Sequence, residues 1–170
     1  MFDSVASFRT NFPLKWVLDM ERSRTRPSIL VVEDYADSRQ ILKLLLEDVG
    51  YSVVTAGSGK EALDAAANYH IDLALVDYGL PDMTGANVAR RLRQFGNGMT
   101  ALPIVMLTAF DGYEYRRQAH EAGCNAYLVK PPDFEMLRGT IERLLRERPG
   151  VSQAKIIQDF KTIPREAART

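Results

Sequence analysis

Short, uninterrupted apolar runs recur along the middle of the chain, each closed by a polar turn and then followed by helical spacing. Ile29-Leu30-Val31-Val32 stops at Glu33-Asp34, Leu73-Ala74-Leu75-Val76 stops at Asp77, and Ala126-Tyr127-Leu128-Val129 stops at Lys130-Pro131. The pattern predicts strands over 28–33, 52–56, 73–77, 103–108 and 125–129. Helices are expected to begin near Asp37, Ser58, Gly85, Tyr113 and Asp133. The first of them carries Ile41, Leu42, Leu45, Leu46 and Val49 at helical spacing and stops at Gly50. Asp37 with Gln40, and Ser58 with Glu61, read as helix-start capping pairs. Strands and helices that alternate in this way predict an α/β fold: a five-stranded parallel sheet, doubly wound, with helices on both faces in three layers.

In such a sheet the functional crevice lies outside the carboxyl ends of the strands. Glu33, Asp34, Asp77, Thr108 and Lys130 all fall at those ends. Asp77 in addition opens a loop punctuated by Gly and Pro, Tyr78-Gly79-Leu80-Pro81-Asp82-Met83-Thr84-Gly85. Carboxylates gathered there repel one another: a like-charged pair at ~4 Å costs ~4 kcal/mol at an effective dielectric of ~20. A divalent cation relieves that cost, and hard oxygen ligands with room for water favour Mg²⁺. One carboxylate is then able to attack phosphorus and form an acyl phosphate. Lys130 would hold a phosphoryl oxygen by charge, and Thr108 would offer a hydroxyl to another.

Charge divides the chain into a central domain, 28–146, and two flanks, 1–27 and 147–170. The centre holds 12 Lys/Arg against 16 Asp/Glu, net −4, whereas the flanks together hold 10 against 6, net +4. An acidic centre argues against nucleic acid as a direct ligand. The first flank spaces Phe2, Val5, Phe8 and Phe12 like a helix, breaks at Pro13, and continues through Trp16 to an Arg-rich link ending at Pro27. The second carries Ile156, Ile157, Phe160 and Ile163. Either could dock on the core or on a partner, or remain a partly folded end. No apolar run is long enough to cross a bilayer, and the first residues lack the pattern of a secretory signal. With Cys124 as the single cysteine, the cytoplasm is the expected location.

Taken in order, these motifs resemble the receiver domain of bacterial two-component response regulators. The acidic pair Glu33-Asp34, the acceptor position Asp77, the turn Leu80–Gly85, Thr108-Ala109, and Tyr127 ahead of Lys130-Pro131 carry the resemblance. It implies a flavodoxin-like fold in which Asp77 accepts phosphate from a histidine kinase or a histidine phosphotransfer protein. It further implies Mg²⁺ held by Glu33, Asp34, Asp77 and the Gly79 carbonyl, with Lys130, Thr108 and Ala109 around the phosphoryl group. Thr108 and Tyr127 would act as the switch, Tyr127 swinging into space left by Ala109. The fourth helix, fifth strand and fifth helix would present the altered surface to a downstream protein or to a second copy; the flanks are another route to a homodimer. A cis Lys130–Pro131 bond is expected. Tyr78 and Gly79 depart from the commoner pattern beside the acceptor, which touches dephosphorylation rate and partner fit. Gly79 would leave the site open to water, with Phe110 partly covering it.

Other readings compete. The same domain could serve as a phosphate relay or sink, or be part of a hybrid histidine kinase. An aspartyl phosphatase usually carries a second Asp two positions after its nucleophile, where this chain has Gly79. Gly57-Ser58-Gly59-Lys60-Glu61-Ala62 has the skeleton of a dinucleotide fingerprint with Asp77 downstream. It reads better as a turn and a capped helix start, because a fingerprint leaves the preceding Glu33-Asp34 unexplained. His70 and His120 lack metal-ligand spacing, and Cys124 reads as a buried small residue.

Overall fold

The computed structural model describes residues 26–95 and 99–147, so most of both flanks lies outside the described residues. Strands β1 (Ser28–Val32), β2 (Ser52–Ala56), β3 (Leu73–Asp77), β4 (Ile104–Thr108) and β5 (Ala126–Val129) form one sheet. All neighbours are parallel, in the order β2-β1-β3-β4-β5. Helices α1 (Ala36–Asp48), α2 (Gly59–Asn68), α3 (Gly85–Gln94), α4 (Tyr113–Glu121) and α5 (Phe134–Arg146) alternate with the strands. Glu33, Pro103 and Asn125, read as strand residues from the sequence, fall just outside the ladders.

The strands read as continuous apolar runs because both faces of the sheet are covered. Leu30, Val32, Ala74, Val76, Ile104 and Met106 face a layer supplied by Ala62, Ala65 and Ala66 of α2, Val88, Ala89 and Leu92 of α3, and Ala119 of α4. Ile29, Val31, Leu73, Leu75, Val105 and Leu107 face Leu46 of α1 and Leu137, Ile141 and Leu144 of α5. Three helices fit on the first face because their contact residues are mostly alanine. Two helices fill the second with larger side chains. Chain order reverses between β1 and β3, which opens the crevice at their carboxyl ends.

Local chemistry sets the helix starts. Ser58 Oγ accepts from the Glu61 amide at 3.2 Å, while the Glu61 carboxylate accepts from the Gly57 amide at 2.7 Å, so the capping pair expected there forms. The pair expected at Asp37 and Gln40 does not. Helix α1 starts one residue earlier, with Tyr35 at its N-cap and no side-chain cap bond. Asp37 therefore lies inside the first turn, where its charge favours the helix dipole rather than capping it. The apolar stripe of α1 also proves wider than the face the sheet covers. Leu46 is fully buried and Leu42 packs at the core margin, but Ile41, Leu45 and Val49 stay exposed.

Gly85 shows how closely the end of β3 and α3 approach. Its amide donates to the Tyr78 carbonyl at 2.8 Å, and a Cβ at this position would overlap the Asp77 carbonyl. The obstacle is backbone and cannot rotate away. Gly85→Ala is expected to lower the unfolding free energy by about 2 kcal/mol or more, measured by urea titration.

Candidate functional site

Glu33 and Asp34 follow β1 directly. The Glu33 amide extends the pairing with β2 by donating to Ala56 O at 3.0 Å. One turn into α1, Arg39 donates to the carbonyls of Glu33 (2.5 Å) and Asp34 (3.1 Å), which fixes the path of the acidic turn. Asp77 ends β3, and the amide after it donates to Leu107 O of β4 at 3.0 Å. These ladders bring one carboxylate oxygen from each of Glu33, Asp34 and Asp77 within 4.8 Å of one another.

Lys130 arrives from the far side of the sheet. Its amide donates to Thr108 O at 2.7 Å, and the Lys130–Pro131 bond is cis, as the resemblance implied. Its Nζ sits 2.5 Å from Glu33 Oε2 and 3.1 Å from Asp77 Oδ2. Glu33 and Asp77 are buried and Asp34 is exposed at the mouth. One ammonium therefore answers three carboxylates, leaving a cluster of hard oxygen donors with excess negative charge. That donor set fits a divalent cation such as Mg²⁺.

Thr108 is fully buried at the end of β4, and its Oγ accepts from the Phe110 amide at 3.1 Å. Ala109 and Gly79 are exposed in the loops that follow β4 and β3. Tyr127 is already inside: it is 8% exposed and donates to Phe110 O at 2.6 Å. The Arg116 guanidinium lies 4.8 Å above its ring, and burial pushes its phenol pKa up. The structure thus gathers Glu33, Asp34, Asp77 and Lys130 into one cluster and ties Thr108 to it through the backbone of Lys130.

Two features escaped the sequence reading. The first is a brace at Tyr78. Its hydroxyl donates to Gln118 Oε1 of α4 at 2.6 Å, and its ring meets Tyr115 edge-on at 5.0 Å and Phe110 at 6.2 Å. Phe110 in turn stacks on Tyr115 at 4.5 Å. Burial, then Tyr115 and Glu114, raise the Tyr78 phenol pKa, so the donor keeps its proton. The residue beside Asp77 is thereby pinned to α4. No run of residue types announces such a contact, since Tyr78 and Gln118 are forty positions apart.

The second feature is Asp82, whose two carboxylate oxygens accept from the amides of Gly59 and Lys60, each at 2.8 Å. Those amides hold the Asp82 carboxyl below the usual carboxylate range. A Cβ on Gly59 would come within 2.5 Å of Met83 Cγ, so the glycine serves the docking of the Leu80–Gly85 turn. The start of α2, where a dinucleotide would need free amides, is occupied by protein carboxylates. Elsewhere His70 pairs with Asp72 at the surface (3.1 Å). Burial pushes the Cys124 thiol up to about 12, which makes it inert at neutral pH.

A strand-end carboxylate beside two further acids and a lysine, within a 2-1-3-4-5 sheet, describes a phospho-accepting signalling module. The chain belongs to the response regulator receiver domain family, whose model matches residues 29–142. It is 38% identical over 128 residues to the two-component response regulator PhoP of Pseudomonas aeruginosa, covering 75% of this chain and 56% of that protein. It is 37% identical over 129 residues to the transcriptional regulatory protein PhoP of Escherichia coli, again over 75% of this chain and 56% of the relative. The chain thus spans about half the length of the curated relatives it matches. Among solved structures, the chemotaxis response regulator CheY4 of Vibrio cholerae superposes with a TM-score of 0.66 at 33% identity, over 71% of this chain and 99% of that one. A CheY-like receiver domain protein from Methanospirillum hungatei gives 0.68 at 29% identity, over 72% and 96%. The receiver assignment, with its place in two-component signalling, follows.

Tyr78→Phe removes one hydroxyl and keeps the ring contacts. It is expected to cost about 1 kcal/mol in urea unfolding, the ordinary net worth of a hydrogen bond. For Asp82 the folded pKa is depressed, so its contribution is present above the unfolded value of about 3.9 and fades as pH falls through the folded value. The stability gap between wild type and Asp82→Asn should therefore be open at neutral pH and close on acidification, as read by thermal melts across pH.

Proposed function

We propose that Asp77 is the phospho-acceptor of this receiver and that residues 28–146 form its complete catalytic unit. The observation that carries this reading is the 3.1 Å pairing of Lys130 Nζ with Asp77 Oδ2 beside Glu33 and Asp34. An Asp77 carboxylate oxygen attacks the phosphorus of a phosphohistidine on a kinase or phosphotransfer protein. The new O–P bond forms as the P–N bond breaks, and the histidine nitrogen leaves with its electron pair. Lys130 shifts from Asp77 to a phosphoryl oxygen while keeping Glu33 as its partner. Mg²⁺, held by Glu33, Asp34, Asp77 and the Gly79 carbonyl, would neutralise the acids and shield the incoming phosphoryl group. This self-catalysed transfer to Asp77, and the later loss of the phosphoryl group to water, are the domain's chemistry; it is a signalling domain.

Thr108 trades its bond to the Phe110 amide for one to the phosphoryl group, which adds roughly −1.5 to −2 charges to the pocket. The loop after β4 follows Thr108, and Tyr127, bonded to the Phe110 carbonyl, locks or releases with that loop. Ala109 is small enough to let both move. The altered surface over α4, β5 and α5 then binds a downstream protein, or a second copy of the chain. Intact Thr108 and Tyr127 favour this output over a passive relay or sink. A single cysteine, buried in the core, suits the reducing cytoplasm as the place where the protein acts. Separately, no helix among the described residues is long and apolar enough to cross a membrane.

Incubation with acetyl phosphate and Mg²⁺, followed by intact mass, tests the acceptor. Wild type should gain one phosphoryl group and Asp77→Asn none. Glu33→Gln and Asp34→Asn should need more Mg²⁺ for the same yield. A mass gain that survives Asp77→Asn would overturn the assignment.

A further inference from the structure

The outer face of α1 is the least expected surface of the molecule. Ile41 (57% exposed), Leu44 (56%), Leu45 (40%) and Val49 (37%) form one aliphatic stripe along it. Their spacing places them on a single side of the helix, turned away from Leu46 and the sheet. Contiguous apolar patches on soluble proteins mark sites that something covers.

Two observations say what covers this one. The carbonyl of Pro27 accepts from the Ser52 amide at 3.0 Å, so the chain preceding β1 departs beside the C-terminal end of α1. That end is acidic and lacks a basic residue in its last turn: Glu47 and Asp48 stand exposed there with the negative pole of the helix. The link running into Pro27 carries Arg22, Arg24 and Arg26. Beyond it, Leu14, Val17 and Leu18 repeat at helical spacing with Trp16 and Met20 beside them. The reach suffices. Between Trp16 and Pro27 an extended chain spans up to about 36 Å, whereas Ile41 to Val49 covers about 12 Å of helix.

We propose that the apolar stripe of α1 is the docking site of the chain's own N-terminal segment, residues 14–20, with the Arg22–Arg26 link seated on the acidic end of the helix. The C-terminal tail is the weaker occupant. Its Arg148, Lys155, Lys161, Arg165 and Arg169 are spread along its length, whereas Arg22, Arg24 and Arg26 are gathered in the link that leaves beside the acidic end of α1. Docking of 14–20 leaves Asp77 and its neighbours untouched, so the inference stands apart from the phosphorylation reading. Any partner that used this face of α1 would have to displace the segment.

Trp16 is the chain's only tryptophan, so its fluorescence reports on this segment alone. In the 170-residue chain its emission should be blue-shifted and several-fold less quenched by acrylamide than free tryptophan. In the Ile41→Glu, Leu44→Glu double variant, which alters only exposed positions, emission should move to the solvent value and quenching should rise to match. Far-UV circular dichroism and phosphorylation by acetyl phosphate should stay as in wild type. Free quenching of Trp16 in the wild type overturns the proposal. So does a protected Trp16 that ignores the double variant, since the segment then packs elsewhere. Protection that appears only as concentration rises, together with a larger species on sizing, overturns it in favour of a second copy.

Discussion

Lys130 bridging Glu33 and Asp77 is the interaction on which the site depends. Two nearly buried carboxylates cannot share a sheet edge without a counter-charge, and a buried ammonium is equally costly alone. Each element of the fold contributes to making that contact. β1 and β3 are adjacent because the chain reverses its winding between them, and β5 lies two strands from β3 across β4. The tie from the Lys130 amide to Thr108 holds the end of β5 beside β4, and the side chain reaches back over the edge to Glu33 and Asp77. A fold with another strand order would scatter the same residues.

Around that contact the structure separates holding from moving. Arg39 fixes the acidic turn from one side, and Asp82 with Gly59 fixes the turn after Asp77 to the start of α2. Neither arrangement involves α4. On the opposite flank, Tyr78, Phe110, Tyr115 and Gln118 join the residue next to Asp77 to α4, and Tyr127 joins β5 to the same loop. On the proposed reading, a change at Asp77 would therefore be passed toward α4 and β5 while the side of Glu33 and Asp34 stays in place.

Much of this was legible from residue types. Runs such as Ile104-Val105-Met106-Leu107 marked buried strands because both faces are covered, and the strand ends named Glu33, Asp34, Asp77, Thr108 and Lys130 directly. What stayed hidden depended on distance in the chain or on shape. Asp82 read as part of a turn, yet it caps a helix that begins twenty-three positions earlier. Gly59 read as half of a nucleotide motif because a glycine needed for Met83 looks the same in sequence as one needed for phosphate. The α1 stripe misled in the other direction: its spacing announced a helix correctly, but helical spacing does not say which of Ile41, Leu42, Leu45 and Leu46 turn inward.

The two helical layers differ in grain, and that difference bears on how the domain shifts shape. Leucine and isoleucine from α1 and α5 interlock deeply with one side of the sheet, so sliding either helix would tear open cavities. Alanines on the other side interlock shallowly, and α4 buries only Ala119 completely. A nearly smooth seat offers little resistance to a small translation. The sheet thus has a deeply interlocked face under α1 and α5 and a shallower one under α4, where a small shift of the helix would open the least space.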